Sequence, residues 1–378
     1  MPEPETTLKR PEGGRPKRWE LLAIALLALA VRAPLMGTHG FAGDQAHFAA
    51  WAEILQPGSQ IAPPGGFAAL YEFRARRPDR SWHLYPPGTL ILLRFVGPIF
   101  NSLAPEGQTL DAAVVRGLQM RAEDDATRLA RVILKAPGVA ADVMLAALIA
   151  LFVSRRLGKR AGIVAGIALA LAPPVIFNSA VWAQVDSLFM LPVVLSMEWA
   201  ARRRPAGMAA WAVVAMMVKT QAVIFGPIWA AVAIACCGRD VKLWGRTLGA
   251  GAATAAAILF PVANLLPQVA ASFGGAASVY PYTHLNGFSL WFVLHPLDEP
   301  HWSSLGQYYV SDATYEIAGI PAKTIGLVAV LGMWAFVFVR LIRRRCDDAS
   351  LRWAAIVTPL ALFVFGTQMH ERYLLPVV

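Results

Sequence analysis

The chain has 378 residues, of which 57% are hydrophobic and 15% are charged, and its net charge is +10. Soluble domains carry about 25% charged residues, so this composition excludes an ordinary soluble domain. Apolar stretches of about 16–24 residues instead predict helices that cross a membrane, and the alternating pattern of a membrane β-barrel is missing.

The positive charge is concentrated in short clusters between the apolar stretches, at 9–18, 155–160, 202–204 and 343–345. Because Lys and Arg are enriched in cytoplasmic loops, these clusters predict which loops face the cytoplasm. Contact with anionic lipid headgroups would explain the same residues, and neither interpretation calls for nucleic acid. The three cysteines form neither a disulfide framework nor a metal-binding spacing.

The first part of the chain predicts a tail, one span and a large loop. Residues 1–18 are polar and rich in Pro, Gly and charge, which is typical of a disordered cytosolic tail. The apolar run 19–36 has no small-residue cleavage site and predicts an anchoring span. The mostly polar residues 37–87 then form a long first outer loop, and 19–378 is expected to be one transmembrane domain.

The next segments leave the topology open. Residues 88–104 form a second apolar stretch, an amphipathic helix is predicted near 111–130, and a third strong span is predicted over 131–153. Strict alternation of spans places the basic loop 154–160 outside, whereas its charge places it inside. Either 88–104 is re-entrant, or that loop departs from the charge rule.

Two helical hairpins follow, each with a polar turn that we expect to face outward. They comprise 161–181 with 187–201, and 206–218 with 222–237. A span over 243–266, a second large outer loop over 267–320, and spans over 321–342 and 351–367 complete the pattern. The sequence predicts about 9–11 membrane segments, and its short apolar ending predicts a truncated C-terminus.

Charged residues beside apolar stretches mark the candidate site, because such charges usually face water or one another. Asp44 and His47 follow the first span three residues apart, so they share one face of a short helix. A helix-capping Asp and a surface His are the alternative interpretation. Two ligands at this spacing are too few to predict a metal site.

Two more ionisable residues lie in apolar surroundings. Asp142 lies inside a predicted span and needs a partner such as Lys135 or Arg131, in a structural or a direct role. Lys219 follows three apolar residues, so its ammonium ion needs an anion. A phosphate and Asp186 are the two alternatives, the second being a bridge between the hairpins.

Polar and aromatic residues extend the candidate site. Gln184 and Gln221 lie in the two hairpin turns, and the aromatic segment 280–291 fits either a sugar ring or an interfacial belt. The cluster His370-Glu371-Arg372-Tyr373 stands between two apolar stretches near the end of the chain. All seven histidines fall in segments predicted to face outward, so polar residues collect on one membrane face.

Taken in order, these segments resemble the GT-C class of integral-membrane glycosyltransferases. The similarity is to bacterial polytopic enzymes related to the dolichyl-phosphate-glucose glucosyltransferases, and more distantly to protein mannosyltransferases. It covers most of the chain after residue 19, and its motifs are Gly43-Asp44, Tyr85-Pro86-Pro87, 183–187, 219–221, 286–291 and 370–372. Each motif is short, but their order and spacing are specific.

The resemblance implies an all-α, GT-C-like transmembrane helix bundle and assigns roles to residues. Asp44 matches the catalytic carboxylate of the first outer loop, and His370 and Arg372 match a cluster that binds the donor's lipid phosphate, where Lys219 would join them. Substrate binding is expected of His47, Gln184, Asp186, Gln221, Asn286, Trp291 and Glu371. Two positions depart from the family: Leu84 stands where the eukaryotic enzymes have an acid, and Arg372 where they have a Lys.

The expected reaction moves a hexose, such as glucose or mannose, from a polyprenyl phosphate to an acceptor hydroxyl with inversion. One base suffices, because the phosphate leaves as an anion without a general acid. The expected partners are this donor, a glycan, lipid or protein acceptor, and membrane lipids. No cofactor is expected, and a divalent metal is not indicated.

The expected location is the cytoplasmic membrane, with the N-terminus in the cytoplasm and the site on the periplasmic or extracellular face. Two alternatives come from other functional classes. A flippase or transporter of lipid-linked glycans predicts a midplane cavity and repeat symmetry. A structural assembly subunit predicts that Asp44 and His370 can be replaced without loss of function.

Overall fold

In the computed structural model, the described residues are 14–75, 85–113, 124–275, 281–285, 287–294 and 310–377. They form an all-α polytopic bundle, as predicted. The first helices are α1 Arg18–Met36, α2 Ala42–Ile54, α3 Gly66–Ala75, α4 Pro87–Leu103, α5 Asp125–Leu157, α6 Lys159–Leu171, α7 Pro173–Ile176 and α8 Asp186–Ala201. The later helices are α9 Pro205–Val218, α10 Gly226–Cys237, α11 Val241–Leu259, α12 Leu266–Gly275, α13 Leu290–Val293, α14 Ala322–Arg343 and α15 Asp348–Phe365.

Shorter segments connect these helices. A π-helical segment, Phe177–Trp182, follows α7, and 3-10 segments cover Thr220–Phe225, Phe260–Leu265 and Glu371–Val377. Within the described residues, four two-residue strands form two small ladders. Strand β1 (His284–Leu285) pairs in parallel with β4 (Met369–His370), and β2 (Glu316–Ile317) pairs antiparallel with β3 (Ile320–Pro321).

Six helical segments in the described part of the chain are long and apolar enough to cross a membrane. They are Arg18–Met36, Asp125–Leu157, Thr220–Cys237, Val241–Phe273, Ala322–Arg343 and Asp348–Phe365. A seventh is the pair Lys159–Leu171 and Pro173–Trp182, which is bent by 48°. The number is below the predicted 9–11, because segments such as Pro87–Leu103 and Pro205–Val218 are apolar but short.

Local sequence explains where several helices begin. The side chain of Asp124 accepts a hydrogen bond from the Thr127 amide and caps α5, so this helix starts before the predicted span at 131. Asp240 and Asp347 cap α11 and α15 in the same way. The predicted amphipathic helix near 111–130 is therefore partly the first turn of α5, and 114–123 of it lie outside the described residues.

The basic loops meet at one end of the bundle, which we call the basic end. Lys159 pairs with Glu20 at 2.7 Å, which joins the loop after α5 to the start of α1. The Glu198 carboxylate forms ion pairs with Arg155, Arg156 and Arg202, with N···O distances of 2.7 to 2.9 Å. Loop 154–160 thus lies beside the other basic clusters, as its charge predicted.

Helix α4 begins at the opposite end, which we call the site end. Its first turn lies against the end of α9, where Thr89 Oγ1 donates to the Val218 carbonyl at 2.6 Å. Beyond α4, the Ala113 carbonyl accepts a hydrogen bond from Thr127 Oγ1, in the first turn of α5, at 3.1 Å. Both flanks of α4 therefore lie at the site end, as the re-entrant alternative for 88–104 requires.

The partner predicted for Asp142 was wrong. Its carboxylate pairs with Arg32 of α1 at 2.7 Å, and both side chains are fully buried. Arg131 and Lys135 instead donate to the carbonyls of Gly37 and Thr38, at 3.2 and 2.7 Å. Cations suit that position, because the last carbonyls of α1 lack helical partners and carry the negative end of its dipole.

Candidate active site

Asp44 is held at the site end by donors from two distant parts of the chain. It lies in the first turn of α2, and its Oδ2 atom accepts hydrogen bonds from Trp182 Nε1 at 2.7 Å and Gln184 Nε2 at 2.6 Å. Arg372 NH1 donates to the same atom at 3.2 Å. The Asp44 side chain is 29% exposed and that of Arg372 only 8%, so the ion pair stands at the edge of the protein interior.

The turn that supplies Trp182 and Gln184 has an unusual backbone. The π-helical segment ends at Trp182, and Ala183 then adopts a left-handed conformation with φ of 73°. This lets the backbone N–H of Gln184 donate back to the backbone carbonyl of Asn178 at 2.9 Å. A Cβ atom on Gly40 would lie 2.1 Å from the Val181 carbonyl oxygen, so only glycine allows this approach.

Stacking fixes the orientation of the Trp182 indole. One face lies against Phe41, with ring centroids 4.0 Å apart and planes 14° apart. The Arg372 guanidinium carbon lies 5.1 Å from the indole centroid, a distance suited to a cation–π contact. The indole therefore positions both members of the Asp44–Arg372 pair.

Lys219 forms the bridge that was one of the two alternatives for it. Its Nζ atom pairs with Asp186 Oδ1, and Asn178 Nδ2 donates to Asp186 Oδ2 at 2.9 Å. The rings of Tyr85, Phe189 and Tyr373 surround the ammonium ion, with centroids at 5.5 to 5.8 Å. Burial lowers the pKa of Lys219, and Asp186 partly offsets that effect.

We expect this bridge to hold the two hairpins together. Asp186→Asn should lower the stability of the folded protein by about 3–5 kcal/mol, because it leaves a buried cation without its anion. The measurement is the midpoint of thermal unfolding in detergent. The double variant Asp186→Asn with Lys219→Met should recover most of the loss, and an unchanged midpoint in the single variant would contradict this role.

A cavity of about 550 Å³ opens beside Asp44. Its charged lining consists of Asp44, Lys219, Lys323 and Arg372. The described lining thus holds three cations and one anion. Because Arg372 pairs with Asp44 and Lys219 pairs with the buried Asp186, the net charge around the cavity is +1, which favours an anionic ligand. Part of the wall is apolar and is formed by Val223, Phe273, Leu327, Val330, Leu331, Trp334 and Leu362. Uncharged polar residues, among them Thr220, Thr367 and Gln368, line the rest.

Two residues predicted to bind substrate also line this cavity. His47 lies one helical turn after Asp44, and its ring stacks on Trp51 with centroids 6.2 Å apart. Both amide atoms of Gln221 are buried and lack hydrogen-bond partners in the described part of the chain. A buried amide without partners is costly, so Gln221 is suited to a ligand with hydroxyl or phosphate groups.

A short parallel ladder places the cluster that contains Arg372. His284 and Leu285 align with Met369 and His370. Gly287 lets the two segments come close, since any Cβ atom at this position would lie only 2.5 Å from the Met369 carbonyl oxygen. The buried Asp312 accepts hydrogen bonds from Thr367 at 2.8 Å and Gln368 at 2.9 Å. These contacts set the direction in which the chain reaches Arg372.

The other predicted residues fall away from the cavity or outside the described set. His370 packs on Tyr373 with ring centroids 5.8 Å apart and is not part of the cavity wall. Trp291 is buried and donates to the Phe365 carbonyl at 2.6 Å, and Asp186 is buried behind Lys219. Asn286 and the side chain of Glu371 lie outside the description.

Sequence reasoning missed several residues that build the site. Trp182 lies in the first predicted hairpin turn, but neither it nor Asp312 or Lys323 was predicted to be a site residue. Tyr85 was recognised in its motif without a role, and its hydroxyl donates to Gln184 Oε1 at 3.4 Å. Burial raises the pKa of Tyr85 and of Tyr373, so both phenols stay neutral near neutral pH. In the sequence, the signal that could have identified Trp182 is its position where the apolar stretch 161–181 gives way to a polar turn.

Comparisons with known proteins do not assign the chain to a family. No protein-family model matches it, and no curated protein is similar to it at a significant level.

Proposed function

We propose that the chain is a glycosyltransferase that takes a hexose from a polyprenyl-phosphate donor and transfers it to an acceptor hydroxyl. The observation that carries this proposal is the position of Asp44. Its carboxylate is fixed by three donors at the rim of a cavity whose described lining carries a net positive charge and whose wall is apolar along α14.

The cavity suits a lipid-linked phosphate better than a free nucleotide sugar. Arg372 offers a planar set of donors for phosphate oxygens, and Lys323 adds charge at the start of α14. The apolar wall continues along α14 with Leu327, Val330 and Leu331, where a hydrocarbon chain loses contact with water. A nucleotide-sugar donor lacks such a hydrocarbon chain.

The chemistry follows from one base and one cationic group. The acceptor hydroxyl gives its proton to Asp44 while its oxygen bonds to the anomeric carbon of the sugar. The bond from that carbon to the phosphate oxygen breaks, and polyprenyl phosphate leaves with the electron pair. Arg372 stabilises the charge that grows on the phosphate. Direct displacement inverts the configuration of the anomeric carbon.

Asp44 has the hydrogen-bond pattern that this role needs. All three donors engage Oδ2, and Oδ1 accepts no hydrogen bond from the residues described. The first oxygen fixes the orientation of the carboxylate, and the second remains able to accept a proton. Preorganisation of this kind reduces the reorganisation needed in the transition state.

The direct test uses the purified full-length protein in detergent or vesicles. Labelled polyprenyl-phosphate glucose and mannose are supplied with candidate glycan, lipid and protein acceptors. We expect transfer, or slow hydrolysis to the free sugar with the opposite anomeric configuration. Movement of the labelled lipid across sealed vesicles without transfer would favour a flippase instead.

The proposal also places the site end on the outer face and the basic end in the cytoplasm. In a background with Cys236, Cys237 and Cys346 replaced by Ala, Gly43→Cys should react with an impermeant maleimide added to intact cells. Gly43 tolerates this change, because among the described residues other than its chain neighbours no atom lies within 4 Å of a Cβ there. Lys242→Cys, exposed at the basic end, should react only after the cells are permeabilised. The reverse pattern would contradict the orientation.

A further inference from the structure

The buried ion pair between Arg32 and Asp142 has no part in the proposed chemistry. Both side chains are completely buried, in α1 and α5, where the membrane makes charges costly. An apolar pair of similar volume would often stabilise such a position as well or better. The contacts around the pair therefore indicate what else it does.

Arg32 reaches a carbonyl group that a proline leaves without its helical donor. In an unbroken helix the amide of residue 174 would donate to the Ala170 carbonyl, but Pro174 has no N–H group. Arg32 NH1 donates to that carbonyl at 2.7 Å. The guanidinium thus stabilises the 48° bend between α6 and the segment that follows it.

Asp142 contacts the segment beyond the bend. Its Oδ2 atom accepts hydrogen bonds from Arg32 and from Ser179 Oγ, which lies in the π-helical segment. Three residues later this segment presents Trp182, and it is followed by Gln184. Helix α5 comes close to this turn at Gly138, where an added Cβ atom would lie 3.0 Å from the Gln184 carbonyl oxygen.

We propose that the Arg32–Asp142–Ser179 network is a positioning device that sets the height and rotation of the π-helical segment so that Trp182 and Gln184 meet Asp44. Arg32 fixes the segment before the π turn, and Ser179 fixes the turn itself. The placement of the Asp44 donors is independent of what the site catalyses, whereas the kinetic consequence rests on the proposed glycosyltransferase function.

Ser179→Ala tests the link without leaving either charge unpaired. The full-length protein is labelled with 5-fluorotryptophan, and the fluorine signal of Trp182 is assigned by its loss in Trp182→Phe. We expect the Trp182 signal to shift by more than its line width in Ser179→Ala, while the thermal midpoint stays within a few degrees. A Trp182 signal at the wild-type position would overturn the proposal.

The kinetic arm uses labelled polyprenyl-phosphate hexose as the substrate. We expect kcat to fall about tenfold with KM nearly unchanged, because a misplaced donor weakens transition-state binding more than ground-state binding. Ser154→Ala is the matched control, since Ser154 is equally buried on α5 but bonds the Leu151 carbonyl near the basic end. It should change neither readout. If the wild type transfers no sugar, the proposed function fails, and the fluorine signal still decides the positioning.

Discussion

Asp44→Asn should reduce sugar transfer by about 10²–10⁴-fold, because the amide cannot take the proton of the acceptor hydroxyl. The substitution conserves shape, and the amide oxygen can still accept hydrogen bonds from Trp182 and Gln184 at the Oδ2 position. We therefore expect normal expression and retained binding of the labelled donor. The unfolding midpoint should fall but the protein should stay folded at the assay temperature, because the mostly buried Arg372 loses its anion. The measurement is the initial rate of transfer at saturating donor and acceptor.

Asp125→Asn is a suitable control for this variant. Asp125 lies in the first turn of α5 at the site end, and it is exposed and outside the cavity wall. It should transfer sugar at the wild-type rate. Activity close to wild type in Asp44→Asn would remove Asp44 from the role of base, and with it the single-carboxylate mechanism.

Arg372→Met should lower kcat by about 10²–10³-fold, the usual cost of losing one group that stabilises charge in the transition state. The donor KM should rise as well, because the guanidinium is also expected to bind the phosphate in the ground state. Arg372→Lys keeps the charge but loses the planar donor set, so it should fall between wild type and Arg372→Met. Steady-state kinetics with varied donor concentration separate these effects.

The control for Arg372 is Arg343→Met, at the exposed C-terminal end of α14 in the basic cluster. It removes the same charge from the other end of the bundle and should leave both kinetic constants unchanged. A donor KM and kcat within about twofold of wild type in Arg372→Met would show that the phosphate is bound elsewhere. In that case Lys219, which lines the cavity and pairs with Asp186, is the next residue to test.

The two alternatives for Lys219 make different predictions for the double variant Asp186→Asn with Lys219→Met. If the bridge only joins the hairpins, the stable double variant keeps its activity. If Lys219 also binds the donor phosphate, the double variant folds but loses affinity for the donor. Lys219 lines the cavity and pairs with Asp186, so the same ammonium ion can join the hairpins and contact a bound phosphate.

Several parts of the fold were predictable from local properties of the sequence. The apolar stretches located the spans because burial in lipid requires a continuous run of hydrophobic residues. The basic clusters predicted that loop 154–160 lies with the N-terminal residues, and the Lys159–Glu20 pair agrees. Segment lengths were less predictable, because caps such as Asp124 and breaks such as Pro173-Pro174 shift helix ends.

The sequence by itself determined that this is a polytopic helical protein, and it identified Asp44, Lys219 and Arg372 as charges in apolar surroundings. Those conclusions need only composition and spacing along the chain. The tertiary structure alone decided which charges meet: Asp44 bonds Arg372 across 328 positions, and Asp142 bonds Arg32 rather than its helical neighbours. Pairing in a bundle depends on how helices pack and where they bend, and local patterns in one sequence do not carry that information.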